Sequence, residues 1–160
     1  MGGEFGQRVE WNHNQSLDWH LLDAPAHAGL SKMITDLNHL LQSSPPLYER
    51  DTSAEGFEWL QLDNAAQSVL VWLRKDGQGE MQVVTANLTP QTHTHYRVGL
   101  PAAGILAEQF NSDAAQYGGS DQLNKAELQT ETISANGREQ SVELCLAPLA
   151  VQVFSFKAQA

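Results

Sequence analysis

From Gly56 onward, short runs rich in Val, Leu, Phe and Trp alternate with turn-forming residues at a spacing of roughly 8–12 residues, which is typical of an all-β domain. Three of the turns are marked by residue pairs that tolerate positive φ or hydrogen-bond their own backbone, namely Asp63-Asn64, Asp76-Gly77 and Asn136-Gly137. No long helical pattern interrupts this region. The spacing therefore predicts antiparallel strands folded into a β-sandwich.

Eight strands are predicted, and their patterns indicate which faces are buried. Near 141–147, the apolar Val142, Leu144 and Leu146 alternate with smaller or more polar residues, so this strand buries one face. Trp59 and Trp72 fall inside predicted strands, where core packing is expected. The polar stretch 118–125 predicts a long loop. The strands are predicted near residues 57–62, 68–75, 81–89, 95–100, 104–110, 126–133, 141–147 and 150–157.

A single amphipathic helix is predicted before the β region. Asp23 offers a capping oxygen and Pro25 a preset φ, which together indicate where the helix begins. Pro45 and Pro46 indicate where it ends, because proline lacks the backbone donor and clashes with the preceding turn. Six apolar residues recur at spacings of three and four and form one stripe: Leu30, Met33, Ile34, Leu37, Leu40 and Leu41.

The segment from Met1 to Leu22 is rich in aromatic residues and has no regular period. It contains Trp11, Trp19, His13 and His20. Loops of this kind usually connect elements of a rigid scaffold. The segment is therefore either a disordered or tagged N-terminus or a part of the middle of a larger protein. Its letters run M-G-G-E-F-G-Q, then E-W-N-H, then S-L-D-W-H-L-L.

These motifs resemble the final barrel segment of the 1,4-α-glucan (glycogen) branching enzymes. One departure is Asn14, which follows the Asn-His pair where the family commonly has Asp, and this puts charge-dependent contacts at that position in doubt. The resemblance covers nearly the whole chain. Further motifs follow in the order of that family's C-terminal part: Asp36-Leu37-Asn38, Gly56-Phe57-Glu58-Trp59, Ser68-Val69-Leu70, Asn87-Leu88-Thr89-Pro90, Phe110-Asn111-Ser112-Asp113 and Gly118-Gly119-Ser120.

The resemblance implies a mainly β fold in two parts. Residues 51–160 would form the α-amylase-family C-terminal β-sandwich, and residues 1–50 the last loop and helix of a truncated (β/α)₈ barrel. The implied parent enzyme is a hexosyltransferase that moves a cut α-1,4-glucan segment onto a 6-hydroxyl, forming an α-1,6 branch in glycogen. Glycoside chemistry needs placed carboxylates, and in that family they lie upstream of anything that corresponds to Met1. We therefore expect no catalytic residue in this chain and no activity from it alone.

Five residues of the opening segment are candidates for contact with an α-glucan. Tryptophan rings can stack on apolar pyranose faces, and Asn and His side chains can hydrogen-bond sugar hydroxyls. The competing interpretation places the two tryptophans in the hinge between barrel and β domain, with the polar residues holding the loop's own backbone. The candidates are Glu4, Trp11, Asn12, His13 and Trp19.

Charge and cysteine content exclude several other classes of partner. The formal net charge of −10 repels phosphate backbones and anionic membranes, so neither nucleic acid nor membrane is expected as a partner. The single cysteine, Cys145, cannot form an internal disulfide, which fits a reducing cytoplasm. No signal-peptide pattern or membrane span is found. His93 and His95 have no third ligand at a suitable spacing, so neither a metal nor another cofactor is predicted.

Two other functions stay open at this point. The chain could be a free-standing carbohydrate-binding module, whose affinity would come from exposed tryptophans, or a structural domain that braces a barrel. The exposure of Trp59 and Trp72 would separate them. Without a barrel, the helix stripe needs other cover because burying such side chains is favourable. Pairing of two copies through the stripe is favoured over packing on the chain's own β domain.

Overall fold

The computed structural model describes residues 1–159, in which one long helix precedes eight strands. Helix α1 spans Pro25–Ser43. The strands are β1 Phe57–Asn64, β2 Val69–Lys75, β3 Met81–Asn87, β4 His93–Leu100, β5 Gly104–Asn111, β6 Leu128–Gln129, β7 Gln140–Leu146 and β8 Ala150–Ala158. A strand is present at each predicted place, so the mainly β fold is confirmed.

The strands form two antiparallel sheets whose facing sides enclose the core. The larger sheet has the order β1-β2-β3-β8-β5-β6, and the smaller consists of β4 and β7. Core residues alternate along the strands with residues of the opposite face, as the period of two requires. The buried core consists of Leu60, Val69, Val71, Leu73, Val83, Tyr96, Val98, Leu100, Leu106, Val142, Leu144, Leu146, Phe154 and Phe156.

Helix α1 lies on the outer face of the larger sheet, so the middle strands of that sheet are buried on both sides. Three residues of the predicted stripe, Met33, Leu37 and Leu40, make this contact. They pack against a buried patch formed by Val84, Phe110 and Val153. The chain therefore covers half of the stripe itself, which is the arrangement that the sequence favoured less.

The rest of the stripe lies further round the helix. Leu30 and Ile34 are half-buried, and Leu41 is 45% exposed. Because successive residues are about 100° apart on a helix, these three lie on one shoulder of the sheet-facing surface. Pairing of two copies through this remaining shoulder stays a prediction.

The ends of α1 match the sequence only in part. Pro25 is the first helical residue, and the helix stops before Pro45, as predicted. The residue before the helix, however, is Ala24, and no side chain caps the first turn. The prediction that Asp23 supplies a capping oxygen is wrong, because Asp23 belongs to a short 3-10 turn, Trp19–Asp23, that runs into the helix.

Helix α1 also makes a close contact with the turn that contains Tyr117. A Cβ atom built on Gly29 would lie 2.8 Å from the backbone oxygen of Tyr117, so only glycine fits there without a shift of the backbone. About two turns further along the helix, the Tyr117 hydroxyl donates to Asp36 Oδ2 at 2.6 Å. Burial is the larger cause and that hydrogen bond the next, and together they raise the pKa of Tyr117 to about 12. The phenol therefore stays protonated and can donate at any physiological pH.

The polar loop predicted at 118–125 is present and is organised by two carboxylates. Asp113 accepts hydrogen bonds from the backbone N–H groups of Ser120 and Gln122, each at 2.9 Å. Glu108 accepts one from the backbone N–H of Asn124 at 3.0 Å. Burial opposes the charge on Asp113, but the N–H groups of Ser120 and Gln122 hold its pKa below the ordinary value. The loop is thus bound to the β domain through hydrogen bonds from its backbone N–H groups to two carboxylates.

The strand predicted at 126–133 is much shorter in the structure. Only Leu128–Gln129 forms β6, which pairs with β5 at the edge of the larger sheet. The chain then crosses over, and Glu131 pairs with Ser141 of β7 in the smaller sheet. A segment that passes from one sheet to the other cannot stay in a single ladder, so the predicted strand was too long.

Candidate functional site

The base of the opening segment is fixed against helix α1. Phe5 is buried, and its ring packs on the Trp19 ring with the two centroids 5.1 Å apart. The Phe5 carbonyl oxygen lies 2.7 Å from Nδ1 of His27 on α1. Gln7 Oε1 accepts a hydrogen bond from the Asp18 backbone at 3.0 Å, which joins the two arms of the loop. Trp19 therefore has one side in a packed cluster while the side chain stays 56% exposed.

The tip of the segment carries three of the five candidate residues. The rings of Trp11 and His13 lie 6.2 Å apart between centroids, and both side chains are exposed. Asn12 Oδ1 accepts from the Asn14 backbone N–H at 3.0 Å, so its side chain holds the loop's own turn. Glu4 is exposed on a separate 3-10 turn, Gly3–Phe5. The structure thus brings Trp11, Asn12 and His13 together at the tip and places Glu4 and Trp19 elsewhere, nearer the base.

A second aromatic group lies on the outer face of the larger sheet, beside α1. Trp59 on edge strand β1 is directly opposite Trp72 on β2, with ring centroids 6.0 Å apart. Phe57 packs edge-on against Trp59 at 4.9 Å. Trp72 is half-buried beside the patch under α1, but Trp59 is 43% exposed. The expectation that Trp59 lies in the core is therefore wrong, because α1 does not cover strand β1.

The alternation along β1 could have revealed which face of the sheet Trp59 occupies. Leu60 is a buried core residue, so its neighbour Trp59 must point to the opposite face of the sheet. What the sequence did not show is that β1 is the outermost strand of its sheet. Phe57, Trp59 and Trp72, called here the aromatic row, form a partly exposed apolar surface of the kind that can bind a flat apolar ring face.

The part of the chain that the structure describes contains no helix that is long and apolar enough to cross a membrane. Within residues 1–159, no three His, Cys, Asp or Glu side chains are grouped closely enough to hold a metal ion. His95, one of the two histidines considered as ligands, lies with its Nδ1 2.6 Å from Oε1 of Glu143.

Comparison with known proteins agrees with this fold. Residues 59–157 match the family model described as the alpha amylase C-terminal all-beta domain, so the chain belongs to that family. Within this class, it is similar over nearly its whole length to the C-terminal part of the 1,4-alpha-glucan branching enzymes. It is 48% identical to the enzyme GlgB of Cereibacter sphaeroides over 94% of this chain and 21% of that enzyme.

Another relative extends the match to the whole chain. The 1,4-alpha-glucan branching enzyme GlgB of Nitrosococcus oceani is 47% identical over 100% of this chain and 21% of its own length. The chain therefore spans about a fifth of the length of the curated relatives it matches. Among solved structures, the pullulanase SAP of Group B Streptococcus aligns with a TM-score of 0.48 and 12% identity over 87% of this chain and 18% of that one, a likeness too low to carry an argument.

Proposed function

We propose that this chain is the C-terminal portion of a glycogen branching enzyme and supports the catalytic part without containing it. The parent activity is the transfer of α-1,4-glucan segments to form α-1,6 branches in glycogen biosynthesis, in the cytoplasm. The observation that carries the proposal is the identity of 47% over the full chain to a branching enzyme about five times as long. The shoulder of α1 beside its sheet-packed face, where Leu41 is 45% exposed, supports a role in joining the β domain to the rest of such an enzyme.

The first test of this proposal is that the chain alone is inert on amylose. A (β/α)₈ barrel typically needs about 250 residues, and the 160 residues here fold into a sandwich and one helix. Purified chain is incubated with amylose, and the spectrum of the iodine complex is followed over time. We expect no change. A spectral shift that grows with time and stays with the protein through repurification would contradict the proposal.

A second candidate function, direct contact with α-glucan, is favoured by the exposure of Trp59. The aromatic row offers an indole face beside a second aromatic ring, and pyranose rings have apolar faces that can cover it. The surrounding charge does not oppose a neutral polysaccharide, whereas a net charge of −10 disfavours anionic ligands. We propose that the aromatic row binds glucan weakly and keeps the polymer near the enzyme. The five candidates of the opening segment remain proposed contacts of the same kind.

The Trp59→Ala substitution tests this second function. We expect it to weaken glucan binding about tenfold, because covering a large apolar side chain is worth roughly 1.5–3 kcal/mol and only part of Trp59 is available. The measurement is retardation of the chain in native gels that contain glycogen. Leu62→Ala is the matched control, since Leu62 is an exposed apolar residue of the same strand. Equal retardation of wild type and Trp59→Ala would remove the aromatic row as a glucan site.

Self-association is proposed through the shoulder of α1 that the sheet leaves open. Leu41 and Trp19 are 45% and 56% exposed, and in a longer protein this surface would be available to further residues. In the isolated chain we expect two copies to cover it around a two-fold axis at high concentration. Light scattering over a dilution series measures this. Leu41→Asp should abolish it, and Gln42→Asp, which adds the same charge at an exposed neighbour, should not. A monomer at every concentration would contradict the proposal.

A further inference from the structure

A groove of about 410 Å³ opens along the edge of β7 that faces away from β4. Its floor and walls come from the smaller sheet and from the crossing segment that includes β6. The apolar side chains that line the groove include Leu123 and Leu128. The polar part includes His95, Lys125, Glu131 and Glu143. Neither the opening segment nor the aromatic row contributes to this groove.

At both ends of the groove, the backbone groups on this edge of β7 are hydrogen-bonded to other parts of the chain, and these two pairings are called closures here. At one end, the backbones of Glu131 and Ser141 exchange two hydrogen bonds, at 2.7 and 3.0 Å. At the other end, the Asn124 carboxamide takes the place of a peptide unit. Its Oδ1 accepts from the Cys145 backbone N–H at 2.8 Å, and its Nδ2 donates to the Cys145 backbone oxygen at 2.9 Å.

Between these two closures lies Glu143, whose backbone groups have no partner. In an antiparallel ladder the backbone groups of alternate residues point to the same edge. Since those of Ser141 and Cys145 point into this edge, those of Glu143 do so too. No residue in the range 1–159 forms a hydrogen bond with the Glu143 backbone N–H or C=O on that side. The groove therefore contains one unused donor beside one unused acceptor.

This pair of groups fits two neighbouring hydroxyls of a sugar ring. One hydroxyl can accept from the Glu143 N–H while the next donates to the Glu143 C=O, because both a donor and an acceptor are available on each hydroxyl. Leu128 provides an apolar wall for the C–H face of the ring. The hydrogen bond from His95 holds the pKa of the Glu143 carboxyl below its ordinary value, so this group is a charged acceptor at the rim.

Two other ligand classes fit less well. An added peptide strand needs several consecutive free positions along an edge, but the Glu131 and Asn124 closures leave only one. An anion would meet the carboxylates of Glu131 and Glu143 in a chain of net charge −10. Lys125 lines the groove as an opposing charge, and the guanidinium of Arg97 is already paired with both carboxylates. The remaining match is a small neutral ligand with vicinal hydroxyls.

We propose that the β7 groove binds a single glucose unit of a neutral α-glucan through the Glu143 backbone. The choice of an α-glucan among neutral sugars rests on the proposed function above. The site lies in the crevice between the smaller sheet and β6, whereas the aromatic row lies on the outer face of the larger sheet. The two sites are therefore separate, and each can fail without the other.

The direct test is a titration of the ¹⁵N-labelled chain with maltohexaose, followed by amide resonances. We expect the Glu143 amide proton to move downfield as it gains a hydrogen bond, with a dissociation constant on the order of 1 mM. Inorganic phosphate and a short extended peptide should leave it in place. Trp59→Ala should not change the Glu143 response, since it removes only the aromatic row.

The outcomes distinguish this site from the proposed function. If maltohexaose shifts the resonance of the Trp59 indole but not that of the Glu143 amide, glucan binding in the groove is contradicted and glucan binding by the aromatic row is not. A response at Glu143 to peptide or phosphate in place of maltohexaose would overturn the ligand class. No response at either position would overturn the groove and also the direct glucan contact proposed for the aromatic row.

The single thiol offers an independent measurement without a substitution. Cys145 lines the groove and is half-buried, and it is the only cysteine of the chain. Bound maltohexaose should slow its alkylation by iodoacetamide about twofold when the sugar concentration equals the dissociation constant. The urea-unfolded chain is the control and should show no protection. An unchanged alkylation rate in the folded chain at saturating maltohexaose would contradict the proposal.

Discussion

Replacing Phe154 with alanine is expected to lower the free energy of unfolding by about 3–5 kcal/mol, the usual cost of truncating a buried phenylalanine. Phe154 is fully buried and lies on β8, in the middle of the larger sheet between β3 and β5. Its ring is part of the core between the two sheets, so the cavity would open in the centre of the domain. Since whole domains have stabilities of about 5–15 kcal/mol, this single change would remove a large share.

Urea denaturation measured by tryptophan fluorescence checks this expectation. Val151→Ala is the matched control, because Val151 lies on the same strand but is 38% exposed and points to the other face. We expect it to cost well under half as much as Phe154→Ala. Equal effects for the two variants would show that the core is not centred on β8.

The Gly29→Leu substitution is expected to destabilise the chain by about 3 kcal/mol, at the upper end of the usual cost of overpacking. Leucine is a far better helix former than glycine, by roughly 0.8 kcal/mol, so an isolated helix would gain stability from it. In the folded chain the first side-chain atom would already lie 2.8 Å from the Tyr117 backbone oxygen, which belongs to the β domain. Helix α1 would therefore have to move away from the larger sheet.

Ala28→Leu provides the control, since Ala28 is exposed on the same helix. Amide hydrogen exchange then reports where stability is lost. In Gly29→Leu, the amides of α1 should exchange faster than those of β3 and β8. If Gly29→Leu proved as stable as Ala28→Leu, the packing of α1 against the Tyr117 turn would be contradicted.

Local sequence patterns predicted the elements of this fold well, because each depends on near neighbours. The alternation in β7 and the three- and four-residue spacing in α1 are properties of single segments. The pairing of strands in a sheet is not a property of a single segment. Nothing between residues 126 and 133 shows that the chain leaves β5 at Leu128 and joins β7 at Glu131. The wrong prediction of a cap at Asp23 has a similar cause, because Asp23 is the last residue of a 3-10 turn that precedes the helix.

The candidate sites show the same division. The resemblance in the opening segment pointed to Trp11, Asn12, His13, Glu4 and Trp19, and the structure locates them without testing their role. The aromatic row was missed because a tryptophan in a strand is usually buried, and only the strand order shows that Trp59 lies at an edge. The β7 groove was beyond prediction, since it consists of backbone groups left unpaired between two closures that are distant in sequence.

The central position of β8 has a consequence for synthesis on the ribosome. Strand β3 is complete about 60 residues, and β5 about 40 residues, before synthesis reaches the segment that joins them, Ala150–Ala158. Until then both carry open edges of unpaired backbone groups, which are sites for wrong pairing with other chains. Most of the domain therefore cannot fold as it emerges and must wait for its final strand. A nascent chain interrupted just before Ala150 would be a substrate for chaperones and proteases rather than a smaller version of the domain.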